Sequence, residues 1–300
     1  MPRVQVLLST YNGQTHLAEQ LATVLGQDHK ELDILIRDDG STDRTREVLT
    51  NFSRDPRVSI ILGDNLGVVG SFFDLISRSS TEADFIALCD QDDVWLPDKI
   101  SRALQFLSGS DAEQPSLYAS RVTVVDEALH RLEMSRRPRK EIGLGNALAE
   151  NLFPGCTMVL NRAARDVISA RLPNFALMHD WWIYLVISAF GEIRFDEESR
   201  ILYRQHAHNV VGVASGVRRK ALRRISRFIR RKQRLTWQVG EFRRLFGDRL
   251  APAQLDTVKL VERSAQSLVG RIALAASPRV YRQGVIDNFL LRLVVLADRL

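Results

Sequence analysis

Strand-like and helix-like segments alternate along the N-terminal part of the chain, and this alternation limits its possible folds more than any other feature. Short runs rich in Val, Ile and Leu predict strands at residues 4–8, 32–36, 58–62, 84–88 and 117–125. Apolar residues recur at helical spacing between them, in residues 15–25, 43–52, 70–76 and 98–107. Such alternation is typical of parallel strands with helices on both faces of the sheet. We therefore predict an α/β fold with a mostly parallel sheet flanked by helices.

Polar segments follow three of the predicted strands. They are residues 9–13, 38–43 and 90–93. Ligands of parallel α/β sheets bind beyond the carboxyl ends of the strands. One such loop would be only a connection, whereas three on the same edge of a sheet predict a binding site.

Residues 90–93 read Asp-Gln-Asp-Asp and hold three carboxylates. Carboxylates this close repel one another unless a cation or hydrogen-bond donors neutralise them. Asp90 and Asp92 form an Asp-x-Asp pair, which suits a hard divalent ion whose remaining positions are filled by diphosphate oxygens. The alternative is an acidic turn in which Asp93 or Asp98 caps the following helix.

Composition indicates a globular chain with a real core, since 45% of its 300 residues are hydrophobic and 26% are charged. The two cysteines, Cys89 and Cys156, are far apart and belong to no Cys-x-x-Cys motif. We therefore expect neither a disulfide framework nor a zinc site, and a reducing compartment fits. The N-terminus lacks the pattern of a signal peptide, and no apolar stretch approaches the length of a membrane span. The chain is expected to be cytoplasmic.

The net charge of +6 comes from one segment. Residues 217–235 contain ten Lys or Arg and no Asp or Glu, which leaves 32 basic and 36 acidic residues elsewhere. Apolar residues at helical spacing within it predict a basic amphipathic helix. Such a helix can lie on an anionic membrane surface, each basic residue adding about 1 kcal/mol. The alternative, which we weigh equally, is a solvated helix packed on the α/β part of the chain or on a dimer partner.

Two units are predicted. Residues 1–212 form the α/β domain, in which the polar and basic residues 131–139 are expected to be a loop. Residues 213–300 form a helical, basic amphipathic extension for contact with a membrane surface or an oligomer partner. Its later helices, in residues 257–276 and 285–300, carry apolar stripes wide enough for a helical subdomain or a homo-oligomer interface.

Four separated motifs occur in an order that resembles family 2 glycosyltransferases with the GT-A fold. They are Asp-Gln-Asp-Asp-Val-Trp at 90–95, Gly-Cys-Thr-Met at 155–158, His-Asp-Trp-Trp at 179–182, and Tyr-Arg-Gln-His at 203–206 continuing through 212. The resemblance covers about residues 3–212. In combination the motifs are similar to the rhamnosyltransferase-like subgroup, which works in bacterial surface-polysaccharide and O-antigen assembly.

The resemblance implies a nucleotide-sugar site on the first loops. Thr10, Tyr11 and Asn12 match the family's base-binding position, although this stretch also reads as a simple turn. Asp38 and Asp39 match its acidic pair, with Asp39 favoured as the base contact and residues 41–43 as structural. Asn65 matches the loop that borders the nucleotide.

The resemblance also implies a cofactor, Mn²⁺ or Mg²⁺. Asp92 is predicted as a direct metal ligand, and Asp90 as a contact to the ribose or to a metal-bound water, with Asp93 in support. His206 occupies the position of an additional metal or diphosphate contact, and imidazole would favour Mn²⁺. Arg204 is predicted to pair with diphosphate oxygens.

The remaining motifs are predicted to serve the acceptor. Asp180 would be the general base that takes the acceptor hydroxyl's proton, although a helix cap is an alternative that does not conflict with this. Gly155 and Cys156 would border the acceptor pocket, where the missing side chain of glycine leaves room for a sugar. Trp181 or Trp182 would stack on the acceptor, with at least one of them in the core.

The predicted function is an inverting, metal-dependent transfer of a sugar, rhamnose from dTDP-L-rhamnose being favoured, to a glycan or lipid-linked glycan acceptor. The location would be the cytoplasm or the inner face of the plasma membrane. One alternative is a nucleotidyltransferase, although no Gly-rich triphosphate loop follows the first strand. The other is a non-catalytic nucleic-acid-binding protein using the basic helix, against which the acidic balance of the remaining chain counts. No nucleic acid is therefore expected among the partners.

Overall fold

The computed structural model describes residues 1–205 and 234–300. Its strands are β1 (Val4–Thr10), β2 (Leu32–Asp38), β3 (Val58–Leu62), β4 (Phe85–Cys89), β5 (Val94–Trp95), β6 (Ser116–Ser120), β7 (Thr123–Val125), β8 (Arg131–Met134), β9 (Val159–Asn161), β10 (Glu192–Asp196) and β11 (Ile201–Arg204). Its α-helices are α1 (Leu17–Leu25), α2 (Thr45–Phe52), α3 (Gly67–Arg78), α4 (Lys99–Leu107), α5 (Leu144–Ala147), α6 (Arg162–Ser169), α7 (His179–Phe190), α8 (Arg234–Phe246), α9 (Pro252–Gln266), α10 (Leu268–Ala276) and α11 (Val285–Leu296), and Gly155–Thr157 form a 3₁₀ turn.

The main sheet has seven strands in the order β10-β6-β9-β4-β1-β2-β3. Every pairing in it is parallel except those of β9, which runs antiparallel to both β4 and β6. The predicted mostly parallel α/β sheet is therefore confirmed. Because β1, β2 and β4 run side by side in the same direction, the loops that follow them emerge at one edge.

A second sheet of four strands, in the order β5-β11-β7-β8, corrects two predictions. Residues 117–125 are not one strand, because the chain leaves the main sheet after Ser120 and enters this sheet as β7. Residues 131–139 are not entirely a loop, because β8 pairs antiparallel with β7. The Asp126 carboxylate shapes the turn between them by accepting hydrogen bonds from the amides of Ala128 and His130.

Apolar side chains of the main sheet enter two hydrophobic clusters, one on each face. Along β1, Val4, Val6 and Leu8 lie in the cluster with α1, α2 and α4, whereas Leu7 lies in the other. This follows from the two-residue period of a strand, which directs neighbouring side chains to opposite faces. The second cluster contains buried residues of α3, α6 and α7.

The C-terminal helices α8–α11 contribute to that second cluster. Trp182 of α7, for example, meets the rings of Phe242 and Phe246 of α8 at centroid distances of 6.1 and 6.4 Å. The division into units 1–212 and 213–300 stays a prediction. Most of the basic segment, up to residue 233, lies outside the described residues, as does His206. Among the helices that are described, none combines the length and the hydropathy that crossing a bilayer requires.

Candidate active site

Gln91 links the first polar loop to the acidic loop. Its Oε1 accepts hydrogen bonds from Thr10 Oγ1 at 2.7 Å and from the Tyr11 amide at 2.8 Å, and its Nε2 donates to the Tyr11 carbonyl at 3.2 Å. The Tyr11 ring is left largely exposed. Sequence reasoning treated Gln91 as a spacer between aspartates, and only its position after β4, beside β1, reveals this contact.

Asn12 and Asn65 each use a side-chain oxygen to shape a loop. Asn12 Oδ1 accepts from the Thr42 amide at 2.9 Å, while the Asn12 amide donates to Ser41 Oγ at 2.9 Å. Asn65 Oδ1 accepts from the Gly67 amide at 3.0 Å. The first two polar loops are therefore fastened to each other, and the nucleotide contacts of both asparagines stay predictions.

Asp38 and Asp39, the acidic pair after β2, are buried and each is paired with an arginine. Arg46 Nε donates to Asp38 Oδ2 at 2.9 Å. Arg37 Nη2 lies 3.2 Å from Asp39 Oδ1, which also accepts from the Leu66 amide at 2.9 Å. Neither arginine was singled out from the sequence. The site thus supplies a positive partner for each of the two buried carboxylates.

Asp90, Asp93 and Cys156 converge beyond β4, with ligand atoms within 4.8 Å of one another. Burial and the charges of Asp92 and Asp180 raise the pKa of Asp90 to about 7. Burial and the charges of Asp92 and Asp90 also raise the pKa of Asp93. Within the described part of the chain, Asp93 Oδ2 is buried without a hydrogen-bond partner. Carboxylates held in this way favour a nearby cation.

These residues fit a hard divalent ion, because carboxylate oxygens are the ligands that Mg²⁺ and Mn²⁺ prefer. Cys156 is a less suitable ligand, since burial and the neighbouring carboxylates raise the pKa of its thiol and keep it protonated. Asp92 lies beside this group, partly exposed, and is not one of its three members. Its direct ligation of a metal stays a prediction.

Lys99, at the start of α4, brings a positive charge beneath the acidic loop. Its Nζ is buried, lies 3.7 Å from the centroid of the Trp95 ring and has no hydrogen-bond partner among the described residues. Burial lowers the pKa of Lys99 to about 8, so the ammonium form still predominates at neutral pH. The sequence marked this stretch only as a helix start.

Arg204 is a structural clamp on the acidic loop. It is 2% exposed. Its Nε donates to the Asp92 carbonyl at 3.0 Å, its Nη1 to the Glu127 carbonyl and its Nη2 to the Glu19 carboxylate, while its amide donates to Asp93 Oδ1 at 3.2 Å. These hydrogen bonds give Arg204 a structural role in holding the acidic loop, and its predicted diphosphate contact stays a prediction.

Asp180 lies in the first turn of α7, largely buried. Its Oδ2 accepts from the Gly155 amide at 3.1 Å and its Oδ1 from the Trp181 amide at 2.7 Å. Burial raises the pKa of Asp180 to about 6, although hydrogen bonds from Asn151, Trp181 and Gly155 oppose the shift. Asn151 was not identified from the sequence. A fixed carboxylate with such a pKa is suited to act as a base near neutral pH.

His179 is neutral and serves packing. Its ring stacks on Phe72 at a centroid distance of 3.9 Å, and burial lowers its pKa to about 3. Gly155 faces it so closely that a Cβ on the glycine would lie 2.6 Å from His179 Nε2. The space left by the missing side chain of Gly155 is therefore occupied by His179. The role of Gly155 at the border of the acceptor pocket stays a prediction.

We expect Gly155→Ala to lower both stability and turnover, because the added methyl group must displace His179 and the Asp180 hydrogen bond beside it. Overpacking of this kind costs about 1–3 kcal/mol of unfolding free energy. Thermal melting and turnover of the variant check this. Gly143→Ala is the matched control, since the nearest atom to its Cβ would be Glu141 Oε1 at 3.9 Å. Wild-type melting and turnover in Gly155→Ala would contradict the prediction.

Both tryptophans of the third motif are buried, Trp182 completely and Trp181 to 6% exposure. Trp181 Nε1 donates to the Ala147 carbonyl at 2.7 Å. Stacking of Trp182 on an acceptor sugar is inconsistent with its position against Phe242 and Phe246, so this prediction is wrong for Trp182. The expectation that at least one of the two belongs to the core agrees with the structure.

Residues 5–168 match the sequence profile of the family described as glycosyl transferase family 2. The chain is 29% identical over 230 residues to the dTDP-rhamnosyl transferase RfbG of Shigella flexneri, covering 68% of this chain and 73% of that protein. It is 26% identical over 204 residues to the putative teichuronic acid biosynthesis glycosyltransferase TuaG of Bacillus subtilis, covering 65% and 77%.

Two solved structures share the fold. TarS 1–349 of S. aureus in complex with UDP-GlcNAc superposes with a TM-score of 0.58 at 12% identity, covering 99% of this chain and 89% of that one. The mannosyltransferase PcManGT of Pyrobaculum calidifontis, in complex with GDP-Man and Mn²⁺, gives a TM-score of 0.52 at 17% identity, covering 99% and 86%. At these identities the likeness concerns the fold alone.

Proposed function

This chain belongs to glycosyl transferase family 2, and from that premise we propose that it transfers a sugar from a nucleotide-sugar donor to a glycan acceptor with inversion at the anomeric carbon. The observation that carries the proposal is the position of Asp180, a fixed carboxylate whose pKa burial raises to about 6 and whose charge acts on Asp90. Asp180, which we propose as the general base, therefore lies near the acidic loop.

The donor's nucleoside would lie over the first two polar loops. Tyr11 is exposed and offers a ring face to the base, while Thr10 and Asn12 border the same loop. The buried pair of Asp38 and Asp39 supplies carboxylate acceptors for base or ribose. The diphosphate would then reach Asp90 and Asp92, which lie next to that loop through Gln91.

A bound Mg²⁺ or Mn²⁺ would neutralise the negative charge that develops on the leaving nucleoside diphosphate. Asp90 and Asp92, both partly exposed, would hold the ion from the protein side. Asp93 is more deeply buried than Asp90 and Asp92. Together with the neighbouring Cys156 and Lys99, it determines the electrostatic charge of the acidic loop. Arg204 holds the loop in place through the Asp92 carbonyl and Asp93 Oδ1.

Asp180 would accept the proton of the acceptor hydroxyl as that oxygen attacks the anomeric carbon. Its two backbone hydrogen bonds fix the carboxylate, so that little reorientation is needed at the moment of attack. His179 lies beside Asp180, but burial lowers its pKa to about 3. Its ring therefore cannot hold a transferred proton near neutral pH, and His179 cannot replace Asp180 as the base.

The favoured donor is dTDP-L-rhamnose, supported by the motif combination and by similarity to the dTDP-rhamnosyl transferase RfbG. The favoured acceptor is a growing surface glycan or a lipid-linked glycan, a pathway class also suggested by the name of TuaG. The nucleotidyltransferase and nucleic-acid-binding alternatives are disfavoured by membership of a glycosyl transferase family.

A donor panel tests the proposal. Thermal-shift and donor-hydrolysis assays would compare dTDP-, UDP- and GDP-sugars in the presence of Mn²⁺, Mg²⁺ or EDTA. We expect dTDP-L-rhamnose to stabilise the chain and to be hydrolysed slowly in a manner that EDTA abolishes. A response to another nucleotide sugar would replace the donor and keep the reaction class. The absence of both a thermal shift and hydrolysis with every donor, in the presence of either metal, would overturn the proposal.

A further inference from the structure

An apolar surface remains uncovered on the C-terminal helices. Eight large side chains, each between 43% and 78% exposed, form what we call the C-terminal apolar face: Leu268, Val269, Ile272, Val285, Ile286, Phe289, Leu293 and Leu296. They recur at helical spacing on α10 and α11. Exposed apolar residues are normal when scattered, but eight of them on two helices that contact each other mark an interaction surface.

The two helices form an antiparallel pair. Arg292 Nη1 of α11 donates to the Leu274 carbonyl of α10 at 2.8 Å, and Arg271 Nη1 at the start of α10 lies 3.4 Å from Asp298 Oδ2 just after α11. Leu274, Leu291 and Val295 are buried on the inner side of the pair. Each helix is thus apolar on both its inner and outer sides, and a helix that is apolar all round is normally covered on all sides.

The charges around this face select among possible partners. Residues 267–300 contain five arginines and two aspartates. Asp287 is buried and Asp298 is paired with Arg271, whereas Arg279 is exposed. The accessible charge of this region is therefore positive. A positive surface is attracted to anionic lipids, whereas the same surface on a second copy of this chain would be repelled.

The position of the face also favours a membrane. Just before α11, Arg282 Nε donates to the Ala149 carbonyl at 3.0 Å and the Gln283 amide donates to Glu150 Oε2 at 2.8 Å. The next residue, Asn151, hydrogen-bonds Asp180. The helices of the face are therefore anchored on the segment that supports the general base, where a lipid-linked acceptor would arrive.

We propose that the C-terminal apolar face docks on an anionic bilayer surface, with its apolar side chains inserted among the acyl chains and Arg279 at the headgroups. Insertion without spanning is the behaviour of interfacial helices. Docking would bring the candidate active site to a lipid-linked acceptor and so extends the proposed function. The docking proposal rests on the proposed function only for the identity of that acceptor. Docking itself depends on the face alone.

Vesicle sedimentation of the full chain tests the proposal. We expect wild type to sediment with vesicles of phosphatidylglycerol and phosphatidylcholine and less with phosphatidylcholine alone. The double variant Ile286→Asp with Phe289→Asp should bind the vesicles at least about tenfold more weakly. The reason is that burial of one such apolar side chain in the bilayer already accounts for most of a tenfold change in affinity. Leu132→Asp, which changes an exposed leucine on β8, is the matched control and should sediment as wild type.

The outcomes are distinct. Unchanged sedimentation of the double variant would overturn the proposal and assign any binding to another segment. A wild-type dimer in analytical ultracentrifugation that the double variant dissociates would also overturn it, making the face a self-association surface. Circular dichroism and thermal melting establish that the variant is folded. Hydrolysis of soluble donor should persist in the double variant, whereas Asp92→Asn should sediment normally, so failure of docking and failure of the proposed reaction are separable.

Discussion

Asp180→Asn is expected to lower turnover by about 100- to 10,000-fold, the range that general-base catalysis typically contributes. The amide keeps the size of the side chain, and its single oxygen can still accept a hydrogen bond from the Gly155 amide, although the bond from the Trp181 amide is lost. Circular dichroism and thermal melting check that the variant is folded. The amide cannot take a proton from the acceptor hydroxyl. Steady-state kinetics with donor and acceptor, together with donor-binding titration, measure the two effects. Donor affinity should change little.

The pH profile provides a second readout of the same carboxylate. Because burial raises the pKa of Asp180 to about 6, wild-type turnover at saturating donor and metal should fall as the pH drops below about 6 and level off above it. A protonated carboxyl cannot act as the base. Asp256→Asn, a change on the exposed side of α9, is the control and should keep both rate and profile. An Asp180→Asn variant with near wild-type turnover would rule out Asp180 as the base.

Asp92→Asn is expected to weaken metal-dependent donor binding by about 100-fold or more, since loss of an outer-shell partner alone costs 10- to 100-fold and Asp92 is proposed as a direct ligand. The physical reason is the loss of one negative oxygen from an accessible pair that would hold the ion against the diphosphate. Calorimetric titration of the donor with Mn²⁺ and with EDTA measures the effect. In EDTA the variant and wild type should bind the donor equally weakly.

Two further variants make that result specific. Asp98→Asn removes a partly exposed carboxylate paired with Arg200 in the same stretch of chain, and it should leave Mn²⁺-dependent binding unchanged. Asp93→Asn tests the alternative position of the ion. If Asp93→Asn abolishes Mn²⁺ binding while Asp92→Asn retains it, the ion lies within the group of Asp90, Asp93 and Cys156 instead.

The sequence by itself determined the architecture and the edge of the sheet where the site lies. The two-residue and helical periods of apolar residues are local signals, and in α/β chains they lead directly to a parallel sheet with helices on both faces. The same pattern identified the polar loops after β1, β2 and β4. Their proximity followed because parallel strands present their carboxyl ends at one edge, and the contacts of Gln91 with Thr10 and Tyr11 bear this out.

Only the tertiary structure decided which partner each polar group of the site has. Arg204 looks like an anion-binding arginine in sequence, yet its guanidinium binds Glu19 and the Asp92 carbonyl, partners 185 and 112 residues away along the chain. Trp182 belongs to the motif of the predicted base but packs against α8, and the space beside Gly155 is filled by His179. The spacing of apolar residues along a helix or strand indicates which of its sides is buried. It does not indicate which distant group completes a hydrogen bond or covers an aromatic ring, because those contacts form only when separate elements pack.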